Sequence, residues 1–302
     1  MACAATTATP SAIAGTSLQP WDKAAAGWNV HAALIHDWLH DATQAMLADA
    51  QIGLGDRVLD IAAGAGDQTL EIARRVGKDG WVLATDVSPG ILALAQKNAE
   101  AAGLWQVSTK VADAQLLAQS LDLTAADFDA AVCRLGLMFC RSPLAALRGI
   151  RVALRPLGRL SVLVFGRPQH NPCLTITLAT ARKHAGLGDD SDLLMQTAHA
   201  FYPGSLMSLG KPGLLEELLK TAGFVDVAMR YVSAPFRATS AAHYVEFLRS
   251  SASPLIEILA PLSSAAKQAA WNDMGEQLKV FTGPLDWVGP NELLQCVAAA
   301  PG

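Results

Sequence analysis

The stretch from Val58 to Leu70 constrains the fold of this chain more than any other part of the sequence. An apolar run leads into a turn of small residues, and an amphipathic helical segment follows the turn. Because Gly64 and Gly66 carry no side chain, the backbone of this turn can approach a ligand closely. The free N–H groups and the dipole of the following helix favour an anionic group. The stretch therefore predicts a strand, a tight turn and a helix start that together hold a ligand.

The rest of the chain alternates between apolar strand-like runs and helical segments, which indicates a parallel sheet covered on both faces. The strands are nearly continuous apolar runs, as burial of both faces requires. We expect an α/β fold: a Rossmann-like, doubly wound, mostly parallel seven-stranded sheet with N-terminal helices and a helical lid. The predicted strands lie at 57–62, 81–85, 106–111, 128–133, 159–165 and 225–232, with 291–299 as a last strand at the sheet edge.

A single domain is expected, because no linker separates two full domains within the 302 residues. Residues 1–19 lack basic residues and a sustained apolar core, unlike signal and transit peptides, and are predicted to be a disordered tail. The single domain then covers 20–302. Its parts are N-terminal helices (20–52), a ligand-binding core (53–166), two lid or cap insertions (167–210 and 240–281), and the remaining helix and edge strands (211–239 and 282–302). Apolar residues of 240–281 either cover the sheet or pair two subunits in a homodimer.

Composition excludes several classes of partner. The net charge is −4 and no run of Lys or Arg is long, which argues against nucleic acid. No apolar run approaches the roughly 18 residues that a membrane span needs. The five cysteines are odd in number, scattered and without a CxxC, so neither a zinc site nor a disulfide framework is indicated, and no metal is predicted. A reducing cytoplasm is the expected compartment.

Three ligands compete for the turn at 62–66. A dinucleotide fingerprint needs a third glycine where this chain has Thr69, and the acids Asp60 and Asp67 would repel a pyrophosphate. A Walker loop needs Gly-Lys-Ser/Thr, which the turn lacks. S-adenosylmethionine carries an ammonium, a carboxylate and a sulfonium, and it suits a pocket with both acids and helix N–H groups. Asp86 ends the second strand, where an acid can accept from ribose hydroxyls.

Five segments occur in the order and spacing of one known family. They are Asp60-x-Ala62-x-Gly64-x-Gly66, Ala84-Thr-Asp-Val-Ser88, Ala112-Asp-Ala114, Phe128-Asp-Ala-Ala-Val-Cys-Arg134 and Arg151-Val-Ala-Leu-Arg-Pro-Leu-Gly-Arg-Leu160. The chain resembles the class I S-adenosylmethionine-dependent methyltransferases, and most closely the small-molecule branch that includes the ubiquinone- and menaquinone-biosynthesis C-methyltransferases. The resemblance covers 50–166 well and 210–232 loosely. One departure is Ala62, where many members have glycine, and alanine is expected to fit only with φ below zero.

The resemblance implies a role for each matching position in binding S-adenosylmethionine. It assigns Asp60, Ala62, Gly64 and Gly66 to the methionine end, Asp86 to the ribose, Val87 and Asp113 with Ala114 to the adenine, and Arg134, beside Cys133 and Leu135, to the reactive side. Plainer structural roles stay open for three of these residues or their neighbours. Asp113 would also serve as a helix cap, Asp67 would complement the helix dipole, and Cys133 is expected to be a small buried residue rather than a nucleophile.

The implied reaction is methyl transfer by in-line displacement, for which orientation matters most. A general base is needed only if the acceptor arrives protonated, and His31, His170 and His199 are the candidates. An apolar, aromatic lid predicts a small hydrophobic or aromatic acceptor. Its residues are Trp28, Trp38, Met138, Phe139, Met195, Phe201, Tyr202, Met207 and Trp287. The alternatives are a nicotinamide-dependent oxidoreductase and a non-catalytic S-adenosylmethionine-binding protein.

Overall fold

The computed structural model describes residues 26–121, 127–188 and 203–302. Within them, seven strands form one sheet: β1 (Arg57–Ile61), β2 (Trp81–Asp86), β3 (Val107–Val111), β4 (Phe128–Arg134), β5 (Leu154–Phe165), β6 (Val225–Ser233) and β9 (Glu292–Ala299). The strand order is β3-β2-β1-β4-β5-β9-β6. Strands β1 to β5 pair in parallel, and β9 runs antiparallel between β5 and β6. The predicted mostly parallel, seven-stranded α/β sheet is confirmed.

The last strand is at 292–299 as expected, but its predicted place at the sheet edge is wrong. Strand β9 is almost entirely buried, whereas β6 has the many exposed positions of an edge strand. The reason can be found in the residue types: Leu293, Leu294, Cys296 and Ala298 form a nearly continuous apolar run, which suits a strand covered on both faces. Because β9 is antiparallel, its first residues lie at the edge where β1 to β5 end.

Helices connect and cover these strands. In chain order they are α1 (Ala32–Asp49), α2 (Asp67–Val76), α3 (Pro89–Ala101), α4 (Leu117–Ser120), α5 (Pro143–Ala153), α6 (Pro172–His184), α7 (Leu214–Ala222), α8 (Ala241–Ser251), α9 (Ser253–Leu259) and α10 (Ser264–Leu278). None of these helices has both the length and the apolar character to cross a membrane. A small ribbon of β7 (Phe236–Ala238) and β8 (Trp287–Gly289) completes the described structure.

Local sequence sets the ends of the helices that follow β1 and β2. Helix α2 begins after Gly66, which has a left-handed φ of 93°, and it ends at Gly77. Helix α3 has Pro89 at its first position, and the Ile91 N–H donates to Ser88 Oγ at 3.1 Å. A side-chain oxygen at the cap and a proline just after it are the usual start of a helix. These two helices therefore begin at the carboxyl ends of β1 and β2.

The predicted N-terminal helical pair corresponds to a helical turn at 26–30 and helix α1. The apolar residues Ile35, Leu39, Met46 and Leu47 are buried along one face of α1. The Trp28 indole N–H donates to the carbonyl of Ser251 at 3.0 Å. The segment before the sheet is therefore fastened both to the sheet and to α8.

The two predicted insertions form a helical layer from α6, α8, α9 and α10. The chain between α6 and α7 includes residues 189–202, which lie outside the described residues, as does the predicted tail at 1–19. Helix α10 buries Ala270, Trp271, Met274 and Leu278 within the chain. These apolar residues of the 240–281 segment are therefore buried within the chain and pack the helical layer.

We predict that Gly136→Ala destabilises the fold, because the added methyl group would collide with Ala62. Gly136 has an ordinary φ of −113°, so alanine suits the backbone. A Cβ at this position would lie 2.3 Å from Ala62 Cβ and 3.1 Å from Cys133 Sγ. Overpacking of this kind costs about 1–3 kcal/mol, which urea denaturation will measure.

Gly275→Ala is the matched control, because a Cβ there would have Val245 Cγ2 as its nearest neighbour at 4.0 Å. Gly275 lies inside α10, where alanine favours the helix by up to about 1 kcal/mol. We expect this variant to be at least as stable as the wild type. Equal stability of the two variants would contradict the steric argument.

Candidate functional site

A cavity of about 640 Å³ lies at the carboxyl ends of β1, β2 and β4. Open α/β sheets bind ligands at this edge, and pockets of about 300–1,000 Å³ suit small molecules. Seven residues predicted to bind the cofactor line the cavity, and Asp60 and Gly66 do not. The seven are Ala62, Gly64, Asp86, Val87, Asp113, Ala114 and Arg134.

The turn after β1 contains three residues with positive φ: Ala62 at 55°, Gly64 at 58° and Gly66 at 93°. The expectation of a negative φ at Ala62 is wrong. The chain leaves β1 sharply at this point, and it does the same after the neighbouring β4, where Leu135 has a φ of 56°. Gly136 leaves the space that the Ala62 methyl group occupies. In non-glycine residues such as Ala62 and Leu135 this conformation costs about 1–3 kcal/mol each and is concentrated at functional sites.

Asp86 connects the glycine turn after β1 with the segment that follows β2. The Gly64 N–H donates to Asp86 Oδ2 at 3.1 Å, and the Ser88 N–H donates to Oδ1 at 3.1 Å. Asp86 therefore supports the glycine turn and lies on the cavity wall.

Asp60 lies beneath the turn, fully buried and away from the cavity wall. Gln68 Nε2 donates to Asp60 Oδ1 at 2.8 Å, and Thr69 Oγ1 donates to Oδ2 at 2.6 Å. Burial raises the pKa of Asp60 from 3.8 to about 6, although the two hydrogen bonds and the nearby Arg134 charge oppose that rise. Asp60 therefore fastens the end of β1 to the first turn of α2.

An ion pair between Asp67 and Arg134 forms part of the cavity wall and was not predicted from the sequence. Arg134 Nη2 lies 2.7 Å from Asp67 Oδ2, and Arg134 Nη1 donates to Thr43 Oγ1 at 2.8 Å. Asp67 Oδ1 lies 3.2 Å from His36 Nδ1. Asp67 therefore does more than complement the helix dipole, since it connects α2 with β4 and α1.

The far end of the cavity is lined by Val87, Asp113 and Ala114. The Gln115 N–H donates to Asp113 Oδ1 at 2.9 Å, so Asp113 does cap the turn that follows it. It lies on the cavity wall as well, and the two roles are compatible. Cys133 is also on the wall, and burial raises the pKa of its thiol to about 12. It is a neutral buried thiol, as expected of a packing residue.

The described candidate bases are not on the walls of this cavity. His31 Nε2 lies 3.0 Å from Ser250 Oγ, and its ring is edge-on to Phe247. His170 is half-exposed, with Nδ1 3.6 Å from a carboxylate oxygen of Glu292. His199 lies outside the described residues. The structure therefore separates His31 and His170 from the site that the glycine turn marks.

A second, smaller cavity of about 100 Å³ adjoins the first and shares the wall residues Trp28, Leu135 and Phe139. Its walls are predominantly apolar and aromatic, and they include Trp38, Met138, Phe165, Phe236, Tyr244 and Phe247. Trp28, Trp38, Met138 and Phe139 of the predicted apolar lid are thus at this cavity. Trp287 is buried and stacks on Tyr244, Met207 is buried, and Met195, Phe201 and Tyr202 lie outside the described residues.

The N-terminal segment contributes a wall of the larger cavity, and of that wall the sequence predicted only Trp28, as a residue of the apolar lid. Trp28, Asn29 and Ile35 line the larger cavity, although they precede β1 by more than twenty residues. Asn98 of α3 also lines it and donates to the Ala65 carbonyl at 2.9 Å and to Asn29 Oδ1 at 3.2 Å. The apolar face of α1 predicted a helix, but periodicity alone does not show what that face covers.

We predict that Asp60 makes stability depend on pH in a defined window. Because its folded-state pKa of about 6 lies above the ordinary 3.8, the folded chain holds this proton more tightly than the unfolded chain. As pH rises from about 4 to about 6, the contribution of Asp60 to the free energy of unfolding falls by about 3 kcal/mol, and it is level above that range. Urea denaturation at pH values from about 4 to about 7 will measure it.

Asp60→Asn isolates this contribution, because the amide does not ionise. The free energy of unfolding of the wild type minus that of Asp60→Asn should fall across the window. A constant difference for Asp60→Asn would show that burial does not raise the pKa of this carboxyl.

Comparison with known proteins gives one matching family. Residues 58–158 match the model of a methyltransferase domain. That segment runs from β1 into the first residues of β5 and contains the glycine turn, Asp86, Asp113 and Arg134. A search of curated proteins found no significant match.

Several solved structures share the fold at low identity. A putative methyltransferase of Bacillus halodurans is 16% identical with a TM-score of 0.56, over 86% of this chain and 99% of its own. Phosphoethanolamine N-methyltransferase 2 of Haemonchus contortus, in complex with phosphomonomethylethanolamine and S-adenosylhomocysteine, is 19% identical with a TM-score of 0.51, over 86% of this chain and 53% of its own. The cyclase SpnF is 18% identical with a TM-score of 0.52, over 87% and 81%. Residues 58–158 of this chain therefore match a methyltransferase domain, and the sheet around them has the Rossmann-like methyltransferase fold.

Proposed function

We propose that this protein transfers a methyl group from S-adenosylmethionine to a small hydrophobic or aromatic acceptor. The observation that carries the proposal is the pair of adjoining cavities at one edge of the sheet. The larger is lined by the glycine turn and by acids, and the smaller is lined mainly by apolar and aromatic side chains. The shared wall residues Trp28, Leu135 and Phe139 would stand where the two ligands meet.

The larger cavity fits the parts of S-adenosylmethionine. Its methionine end would lie at Ala62 and Gly64, where the positive φ values expose backbone beside the start of α2. The first N–H groups of α2 have no side-chain cap and suit a carboxylate. Asp86 on the cavity wall suits the positive charge of the ligand, because opposite charges within a few ångströms stabilise one another.

The nucleoside end would lie along the ends of β2 and β3. Asp86 would accept from the ribose hydroxyls, as an acid at the end of the second strand does in nucleotide-binding folds. Val87 would pack against the adenine, Asp113 would accept from its amino group, and the Ala114 N–H would donate to a ring nitrogen. Asp60 and Gly66 would contribute indirectly, by shaping the turn, because they do not line the cavity.

When bound, S-adenosylmethionine supplies a methyl group on a sulfonium sulfur, and this sulfur is the leaving group when the acceptor attacks the methyl carbon in line. The contribution of this chain is to hold the acceptor against the shared wall and to exclude water from it. Such orientation can supply several kcal/mol of the barrier, up to about 7–11 kcal/mol in the best cases. His31 would then serve as a packing residue and His170 as a surface residue, because both are outside the two cavities.

The matched methyltransferase segment supports this function over the alternatives. The Haemonchus relative was solved with S-adenosylhomocysteine, and it shares the fold. A nicotinamide-dependent oxidoreductase is less well supported, because Thr69 stands where a dinucleotide fingerprint has its third glycine. The described cysteines Cys133, Cys140, Cys173 and Cys296 are free thiols, which is compatible with the reducing cytoplasm that we propose as the compartment.

We predict that Asp86→Ala weakens S-adenosylmethionine binding ten-fold or more, because hydrogen bonds to a charged acceptor contribute about 1.5–3 kcal/mol. Isothermal titration calorimetry will measure the dissociation constant. Asp79→Ala, which removes an exposed acid far from the cavity, is the control and should bind like the wild type. Unchanged affinity in Asp86→Ala would contradict the ribose assignment, and binding of a nicotinamide dinucleotide instead would support the oxidoreductase.

We also predict that the purified protein methylates a hydrophobic acceptor. Labelled S-adenosylmethionine would be incubated with quinols, phenols, amines and keto acids, with quinols first because of the resemblance to the ubiquinone and menaquinone branch. Transfer of label to a ring-bearing member is expected from the aromatic walls of the smaller cavity. Tight cofactor binding without transfer to any class would favour the non-catalytic binding protein.

A further inference from the structure

Two helices present pairs of metal-ligating side chains to one another beside the larger cavity. On α1, His36 and His40 are four residues apart, and on α2, Asp67 and Glu71 are also four apart. Side chains at this spacing lie on the same face of a helix. One imidazole nitrogen each of His36 and His40 and a Glu71 carboxylate oxygen all lie within 4.8 Å of one another.

The distances within this group suit an ion better than they suit hydrogen bonds alone. Glu71 Oε1 is 3.4 Å from His36 Nδ1 and 3.9 Å from His40 Nδ1. The second separation is too long for a hydrogen bond. Ligands about 2.1 Å from a tetrahedral zinc lie about 3.4 Å from each other. The separation between Glu71 Oε1 and His36 Nδ1 therefore already suits a bound zinc ion. A small rotation of the His40 side chain would bring its imidazole nitrogen to the same separation.

The neighbouring hydrogen bonds orient Glu71 for this role. Gln44 Nε2 donates to Glu71 Oε2, which leaves Oε1 towards the two imidazoles. Arg75 Nη2 in turn donates to Gln44 Oε1 at 2.8 Å and holds that amide in place. Partners that orient a ligating side chain are characteristic of built metal sites.

Asp67 places a second carboxylate within reach. Its Oδ1 lies 3.2 Å from His36 Nδ1, while its Oδ2 is held by Arg134. One imidazole Nδ1–H can donate to only one of the two acids at its side, Asp67 and Glu71. A divalent cation would satisfy both carboxylates together with both imidazole nitrogens.

We propose that His36, His40 and Glu71 form a binding site for a divalent transition-metal ion of the zinc class, with Asp67 as an additional oxygen ligand. Imidazole nitrogen and carboxylate oxygen are ligands that zinc accepts. The site joins α1, which forms one wall of the larger cavity through Ala32, Ile35 and Leu39, to the first turn of α2. A bound ion would therefore hold that wall in place.

The test is a titration of the full-length, tag-free, chelator-treated protein with Zn²⁺ by calorimetry and with Co²⁺ by visible absorption. We expect one saturable site per chain, and a ten-fold or greater loss of affinity in His36→Ala and in His40→Ala. Gln44→Leu, which removes the orienting amide, should weaken binding about ten-fold. The melting temperature of the wild type should rise with Zn²⁺ concentration, because the ion binds the folded chain.

His184→Ala is the matched control. His184 faces a single carboxylate, with Nε2 3.0 Å from Asp273 Oδ2, so its loss should leave Zn²⁺ affinity unchanged. His40 is about half exposed, and its substitution is expected to leave the fold intact. Absence of saturable binding by the wild type would overturn the proposal, as would equal affinity in the wild type, His36→Ala and His40→Ala. S-adenosylmethionine takes no part in this titration, so its outcome is independent of the proposed methyl transfer.

Discussion

The larger cavity depends on the way in which β1 and β4 leave the sheet. A non-glycine residue with positive φ follows each strand, Ala62 after β1 and Leu135 after β4. The two turns lie side by side because β1 pairs with β4. Left-handed backbone is unfavourable for residues that carry a Cβ, so the surrounding structure must hold it in place. Gly136 provides the space, and the Gly64–Asp86 hydrogen bond fastens the turn to β2. The cavity is the space that these two sharp exits leave open.

Charges around the turn are arranged in two layers with different functions. Asp60 is beneath the turn, buried and hydrogen-bonded to α2, and its raised pKa shows that its charge is held at an energetic cost. Asp67 and Asp86 lie at the surface of the cavity, where Arg134 and backbone N–H groups balance them. The inner acid therefore sets the shape of the turn, and the outer acids set the potential that a ligand would meet.

The sequence predicted the sheet and its cofactor-side edge well because both depend on local patterns. Apolar runs and capped helices are short-range features, and the glycine turn with Asp86 and Asp113 follows directly from strand ends. The place of β9 inside the sheet was missed, since strand order depends on pairing between distant segments. The positive φ of Ala62 was missed for a similar reason: the glycine that makes room for it, Gly136, is 74 residues further along the chain.

The segment that matches a methyltransferase domain and the residues that would select an acceptor are largely different parts of the chain. Most walls of the larger cavity fall within 58–158, whereas the smaller cavity is built mainly from α6, α8, α9 and the segments around Phe236 and Asn291. The same division applies to the His36–His40–Glu71 cluster, where α1 brings two imidazoles to a helix of the matched segment. Helix α1 contributes to both cavities or their rims and to the proposed metal site. The walls that lie outside the matched segment therefore come from α1 and from helices α6, α8 and α9, while the sheet edge belongs to the matched segment.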